Sequence, residues 1–212
     1  QPLLVTMTEK LLITLLTKLS NLVPNAGVWM NTLRPEWNDA NNALVGNGAS
    51  MVTLCYMRRF VVFLQRLFDG MDTTYAVSRE VVQFLYAILQ ATEQYMQATA
   101  TLSDQARRQY TDAAGLAGEA YRTAAYAGFS GEKVELESEH IRLFLARILA
   151  LLDRSIASNR RPDGLYHAYN LIRFEGTQAL TISHLYEMLE GQVAILSSGY
   201  LSPAEAADLL DA

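Results

Sequence analysis

Residues 49–68 read Ala-Ser-Met-Val-Thr-Leu-Cys-Tyr-Met-Arg-Arg-Phe-Val-Val-Phe-Leu-Gln-Arg-Leu-Phe. Met51, Leu54, Phe60, Val61, Val62, Phe63, Leu64 and Leu67 fall on nearly every side of a helical wheel. The spacing therefore predicts a helix from about Ala49 to Phe68 that is covered by protein on most of its surface, as the inner helices of layered helical barrels are. Arg58 and Arg59 interrupt the run before it reaches the ~18 apolar residues of a membrane span. With Arg66, they are expected to pair with acids of an adjacent layer.

Periodicity on either side extends the helical reading. A first helix is expected over about residues 7–22, with Leu11, Leu12, Leu15, Leu16 and Leu19 forming one stripe. Pro24 ends it, and residues 23–48, rich in Asn, Gly and Pro, read as irregular. Further helices are expected from Tyr75 to Ala98, from Ser103 to Tyr126 with Ser103 as N-cap, from Leu136 to Ala157, and from Thr177 to Leu196. Leu165 to Phe174 shows no clear period. Ser202-Pro203-Ala204-Glu205 is a helix start, with a hydroxyl cap, Pro at the first position and Glu placed to bond back. Without any evident alternating strand, the expected fold class is all-α: six long helices plus a truncated one, in one domain over residues 1–212, forming part of a double-layered helical toroid.

Composition narrows the function classes. The chain has 212 residues, 50% of them hydrophobic and only 18% charged, so much of each helix face is expected to be covered by other protein. A net charge of −5 supplies no basic stripe for nucleic acid. Cys55, the only cysteine, lies in an apolar run and reads as a small core residue, so neither an internal disulfide nor a cysteine metal cluster is expected. The start at Gln1 lacks an initiator Met and a basic leader, and the last helix has barely begun when the chain stops. Both are expected of an internal segment of a longer enzyme.

Chemistry concentrates in the segment Trp29-Met30-Asn31-Thr32-Leu33-Arg34-Pro35-Glu36-Trp37-Asn38-Asp39-Ala40-Asn41-Asn42. A pyranose offers apolar C–H faces that stack on indoles and hydroxyls that need donors and acceptors. Trp29, Arg34, Trp37, Asn38 and Asn41 supply that mix. An Asn-rich loop satisfying its own backbone is the structural alternative. Gly46-Asn47-Gly48 before a helix offers a phosphate cradle, without the Lys of a nucleotide loop.

Trp37-Asn38-Asp39, followed by Asn41, Gly46 and Gly48, resembles the Gly-Asp-Trp-Asn-Asp-Gly-Met-Asn segment of the cellobiose phosphorylase family. Here Pro35-Glu36 stand for Gly-Asp, Ala40 for the following Gly, and Asn41-Asn42 for Met-Asn. The resemblance implies an (α/α)6 toroid, with Asp39 as the general acid that protonates the glycosidic oxygen while inorganic phosphate, as co-substrate, attacks the anomeric carbon with inversion. Such an acid must hold its proton at working pH, and Glu36 with the Trp37 indole would raise its pKa.

A second segment, Asp163-Gly164-Leu165-Tyr166-His167-Ala168-Tyr169-Asn170, brings Tyr166, His167, Tyr169 and Asn170 as further sugar contacts lining the same pocket. Glu175 is the candidate second carboxylate that an inverting hydrolase needs about 6.5–9.5 Å from its acid. Glu187 and Glu190 read as helix-face charges. His140 and His184 are placed inside helices without a partner at metal-binding spacing, so no metal and no other cofactor is expected. The expected function is inverting cleavage of a glycosidic bond by phosphate or water, on an oligosaccharide or disaccharide, in the cytoplasm. No nucleic-acid or membrane partner is expected, and homo-oligomerisation is left open. The alternatives are a non-catalytic carbohydrate-binding or scaffolding domain, and a partner-binding module, which needs an exposed apolar groove.

Overall fold

The computed structural model describes residues 4–31, 44–98 and 103–212. In chain order the elements are α1 (Met7–Leu19), β1 (Leu22–Val23), β2 (Gly27–Trp29), β3 (Gly48–Ser50), α2 (Met51–Phe68), β4 (Thr74–Ser78), α3 (Arg79–Ala98), α4 (Asp104–Ala127), β5 (Lys133–Glu137), α5 (Ser138–Ala157), β6 (Tyr169–Glu175), β7 (Ala179–His184), α6 (Leu189–Ser198) and α7 (Pro203–Asp211). Helices dominate, but the chain is not all-α. An antiparallel sheet runs in the order β1-β2-β3-β6-β7, and β4 pairs with β5 in a separate ribbon. This overturns the all-helical expectation, and the described residues show no toroid of paired helices.

The strands escaped the sequence reading for identifiable reasons. β5 does alternate, with Val134 and Leu136 between Lys133, Glu135 and Glu137, but Leu136 runs straight into the stripe of α5 and so reads as the start of the helix expected from Leu136 to Ala157. β4 was absorbed by α3 in the same way. In β6, Tyr169 and Asn170 are both buried, so the strand starts between two covered faces and loses its alternation. The helix expected from Thr177 to Leu196 is β7 followed by α6. The hairpin from β6 to β7 turns at Gly176, whose φ of +56° suits glycine.

The helix ends follow local chemistry. The hydroxyls of Thr6, Ser50 and Ser103 accept from the backbone N–H of Glu9, Thr53 and Ala106, capping α1, α2 and α4. Ser202 and Glu205 form the reciprocal capping box at the start of α7. One apolar core joins Leu12, Leu16 and Leu19 of α1, Leu54, Val61 and Leu64 of α2, Leu85 and Ile88 of α3, Tyr110 of α4, Phe144, Ile148 and Leu152 of α5, Ile195 of α6 and Leu209 of α7. Cys55 is buried in it, as its apolar surroundings in the sequence suggested. Among the described residues no helix is long and apolar enough to cross a membrane.

α2 is covered on most of its surface, as expected, but one face is open. Tyr56, Phe63 and Leu67 lie exposed on one face together with Arg59 and Arg66. Arg58 points the other way and is buried. It pairs with Asp153 of α5 at 2.6 Å and donates to the Ser198 carbonyl at 2.9 Å, so one of the three arginines meets an acid of a neighbouring helix as expected.

Candidate functional site

The large sheet is built at a crowded crossing. Gly27 begins β2 with φ at +118°, and a Cβ there would lie 2.6 Å from the carbonyl carbon and oxygen of Ser50. Only glycine lets β2 lie this close to the end of β3. Trp29 then pairs with Ala49, and Ala49 with Asn170. Asn170 pairs in turn with His184 on β7. Four strands thus bring Trp29, which opens the first segment singled out in the sequence, and Asn170, which closes the second, into one row.

Behind that row runs a buried polar chain that fixes each amide by its partners. Asn159, at the end of α5, donates through Nδ2 to the carbonyls of Asn25 and Ser155 at 2.7 and 2.8 Å. Carbonyls only accept, so the other atom of its amide, Oδ1, is left as an acceptor. It receives Nδ2 of Asn170 at 2.8 Å, and the same Nδ2 donates to the Ala26 carbonyl at 2.7 Å. Asn170 Oδ1 is therefore an acceptor, and it faces Nδ1 of His184 at 2.6 Å. The proton of a neutral His184 sits on Nδ1, which leaves Nε2 with a free lone pair.

His167 stacks on His184 with ring centroids 3.7 Å apart and planes 3° from parallel. Its backbone N–H donates to the Asn159 carbonyl, which ties it to the same chain. Partial burial lowers the pKa of His184. Burial, followed by the neighbouring His184 and Arg161, pushes His167 down to about 4 against the weaker opposing pull of Asp163 and Glu187. Both rings are neutral at neutral pH, and charging them together would set two cations face to face.

The other face of the row is apolar. Leu44, Ala168 and Tyr169 form a buried cluster against which Met30, Leu171, Leu185 and Met188 pack. Met30 and Leu44 stand on either side of residues 32–43, so both approaches to that segment are held beside Tyr169 and the residue that follows His184. Trp29 clamps the returning chain, donating its indole N–H to the Gly46 carbonyl at 3.0 Å while its ring leans on Phe174 at 5.6 Å.

Six expected site residues, Arg34, Glu36, Trp37, Asn38, Asp39 and Asn41, lie outside the described residues. Of the remainder, Tyr169, Asn170, His167 and Trp29 belong to the row or its immediate flank. Tyr166 does not. It is buried in the main core, and its backbone exchanges hydrogen bonds with the Gln192 side chain at 2.9 and 2.8 Å. Glu175 stands at the tip of the hairpin, five residues or about 17 Å along the strand from Asn170. Its carboxylate pairs with Arg173 at 3.1 Å.

His184 is the residue that sequence reasoning misplaced. It lies in β7 and not in a helix, and the alternation of Leu180 and Ile182 with Thr181 and Ser183 was the available sign. Among the described residues no group of three His, Cys, Asp or Glu is arranged to hold a metal ion. No protein-family model matches the chain, and comparison with curated proteins gives no significant match.

Proposed function

We propose that this chain carries a carbohydrate site that cleaves a glycosidic bond with inversion, with Asp39 as general acid and inorganic phosphate or water as nucleophile. The observation that supports it most is the joint anchoring of Met30 and Leu44 against Tyr169 and Leu185. It brings the approaches to the Trp37-Asn38-Asp39 segment to the strand that carries Tyr169 and Asn170 and to the loop that carries His167.

In this reading Asp39 gives its proton to the glycosidic oxygen as the bond to the anomeric carbon breaks. A phosphate oxygen attacks from the opposite face, arriving already anionic and requiring no base. Water would need one. Glu175 is committed to Arg173 on an exposed tip, which favours phosphate over water. The neutral His184, with Nε2 free to accept, suits a sugar hydroxyl as donor.

The test is release of sugar or sugar 1-phosphate from a panel of β-linked disaccharides, with and without phosphate, by the native protein and its Asp39→Asn variant. Phosphate-dependent release that the substitution abolishes supports the reading in full. Phosphate-independent release lost on substitution retains Asp39 and makes water the nucleophile. Release unchanged in Asp39→Asn removes the acid assignment. Sugar binding without any turnover moves the site to non-catalytic carbohydrate recognition.

A further inference from the structure

His167 and His184 lie on two segments that are held very differently. His167 is fixed between two buried residues, Tyr166 and Ala168. Tyr166 exchanges backbone hydrogen bonds with the Gln192 side chain, and the Ala168 carbonyl accepts from the Met51 N–H at 2.9 Å. A Cβ added to Gly191 would lie 2.8 Å from that of Ala168, so α6 presses directly on this point. His184 ends β7, the edge strand of its sheet. Arg107 grips the earlier part of β7 at the Leu180 carbonyl, and just past His184 the Leu185 N–H donates to the Tyr169 carbonyl at 3.1 Å. Of the two rings, His184 is therefore the one with room to leave.

The stack suits neutral rings. A single imidazolium lying on a neutral ring is tolerated, whereas two imidazolium ions 3.7 Å apart and nearly parallel repel each other. Nδ1 of His184 faces Asn170 Oδ1 and already carries a proton, so the one it gains goes to Nε2. The charged groups that face the pair are Arg161 and Asp163 from the loop after α5 and Glu187 from the loop after β7, while β6 presents the neutral Asn170 amide. Arg161 binds both carboxylates, at 2.6 and 2.7 Å, and so takes up negative charge that would otherwise steady a doubly protonated pair.

We propose that the His167–His184 stack is an acid-sensitive latch on the edge of the large sheet: neutral, it holds the end of β7 against β6, and doubly protonated, it releases His184 and Leu185 while the helical core stays folded. Leu185 packs against the Leu44–Ala168–Tyr169 cluster, so its release loosens the contacts that gather Met30 and Leu44 beside Tyr169. The latch goes beyond the carbohydrate reading and does not depend on it.

Hydrogen exchange followed amide by amide by NMR, corrected for intrinsic rates, tests this at pH 7 and pH 4 on the native protein and on His167→Phe, which keeps a flat ring on His184 but no second proton. The native Leu185 amide is expected to exchange about tenfold faster or more at pH 4 than at pH 7, and to exchange well ahead of Phe144 and Ile148 in α5. Low urea should leave the Leu185 rate unchanged, as local opening exposes little surface. His167→Phe should lose the acceleration, and so should His167→Gln, which has neither ring nor charge. Native exchange at Leu185 that does not respond to pH overturns the proposal. So does Leu185 exchanging in step with α5 at pH 4, which is global unfolding, or an acceleration that persists in both variants, which assigns it to Asp163 and Glu187.

Discussion

His184 Nδ1 meets Asn170 Oδ1 at 2.6 Å, at the end of a hydrogen-bonded chain that begins at the carbonyls of Asn25 and Ser155. Each amide in it is oriented by the one before, so α5, the turn between β1 and β2, and strands β6 and β7 share one polar seam. Asn170 is fully buried and sits at its centre. Asn170→Ala removes the donor to Ala26 and Asn159 and the acceptor for His184 together. It is expected to cost about 2–4 kcal/mol, read as a lower urea midpoint at constant slope. A loss below about 1 kcal/mol would mean that water replaces the amide without penalty.

The histidine stack predicts an acid-side loss of stability. The ordinary histidine value is 6.5, and the fold holds His167 down to about 4. Between those values the unfolded chain binds more protons than the folded one, so stability rises with pH across this window and is lost as pH falls through it. Because the ring is only partly buried, the loss is expected to be about 1–2 kcal/mol between neutral pH and pH 4. Urea unfolding of the native protein and His167→Gln at several pH values checks this. The variant should show a flatter profile, and an identical profile would place the titration elsewhere.

Gly27 and Gly164 make a matched pair. Both have φ near +100°, at +118° and +90°, but a Cβ at Gly27 would strike the Ser50 backbone, whereas a Cβ at Gly164 would meet nothing within 4 Å. Gly164→Ala carries the conformational cost alone, about 1 kcal/mol, while Gly27→Ala is expected to cost about 3 kcal/mol or more. Equal thermal shifts for the two would show that the β2–β3 crossing relaxes freely.

Arg107 of α4 is buried and donates to the carbonyls of Pro24 at 3.0 Å and Leu180 at 2.6 Å, and it also bonds Asp104. It therefore ties the loop that follows β1 and the strand that carries His184 to the same helix. Arg107→Met is expected to cost about 2–4 kcal/mol, since both carbonyls lose their donor. Hydrogen exchange should quicken at β7 before it does at α5. Uniform exchange along the chain would assign the loss to general packing.

Cys55 is buried in α2, and burial pushes its thiol up to about 12 despite the lowering influence of Arg58. A disulfide reagent at neutral pH is expected to leave it unmodified in the folded protein and to label it fully in urea. Rapid labelling without denaturant would mean that α2 opens locally.

Much of the helical scaffold was legible because it is written in short-range chemistry. The Leu stripe of α1, the Ser103 cap of α4 and the Ser202–Glu205 box of α7 each act within one or two turns. Strands were harder to read. A strand is stabilised by a partner distant in sequence, and β3 finds its partner in β6 more than a hundred residues later. Where a strand abuts a helix, as β5 does α5, the two apolar patterns fuse into one.

The sequence by itself determined that the chain folds around long amphipathic helices, that Ser103 and Ser202 cap helix starts, and that Cys55 belongs in the core, because helix periodicity and capping depend on residues a few positions apart. Only the tertiary structure decided that Asn170 would orient His184, that His167 would lie flat on that ring, and that Met30 and Leu44 would meet beside Tyr169. Those relations depend on strand register, and register is settled by which faces can be buried together once the whole chain has collapsed.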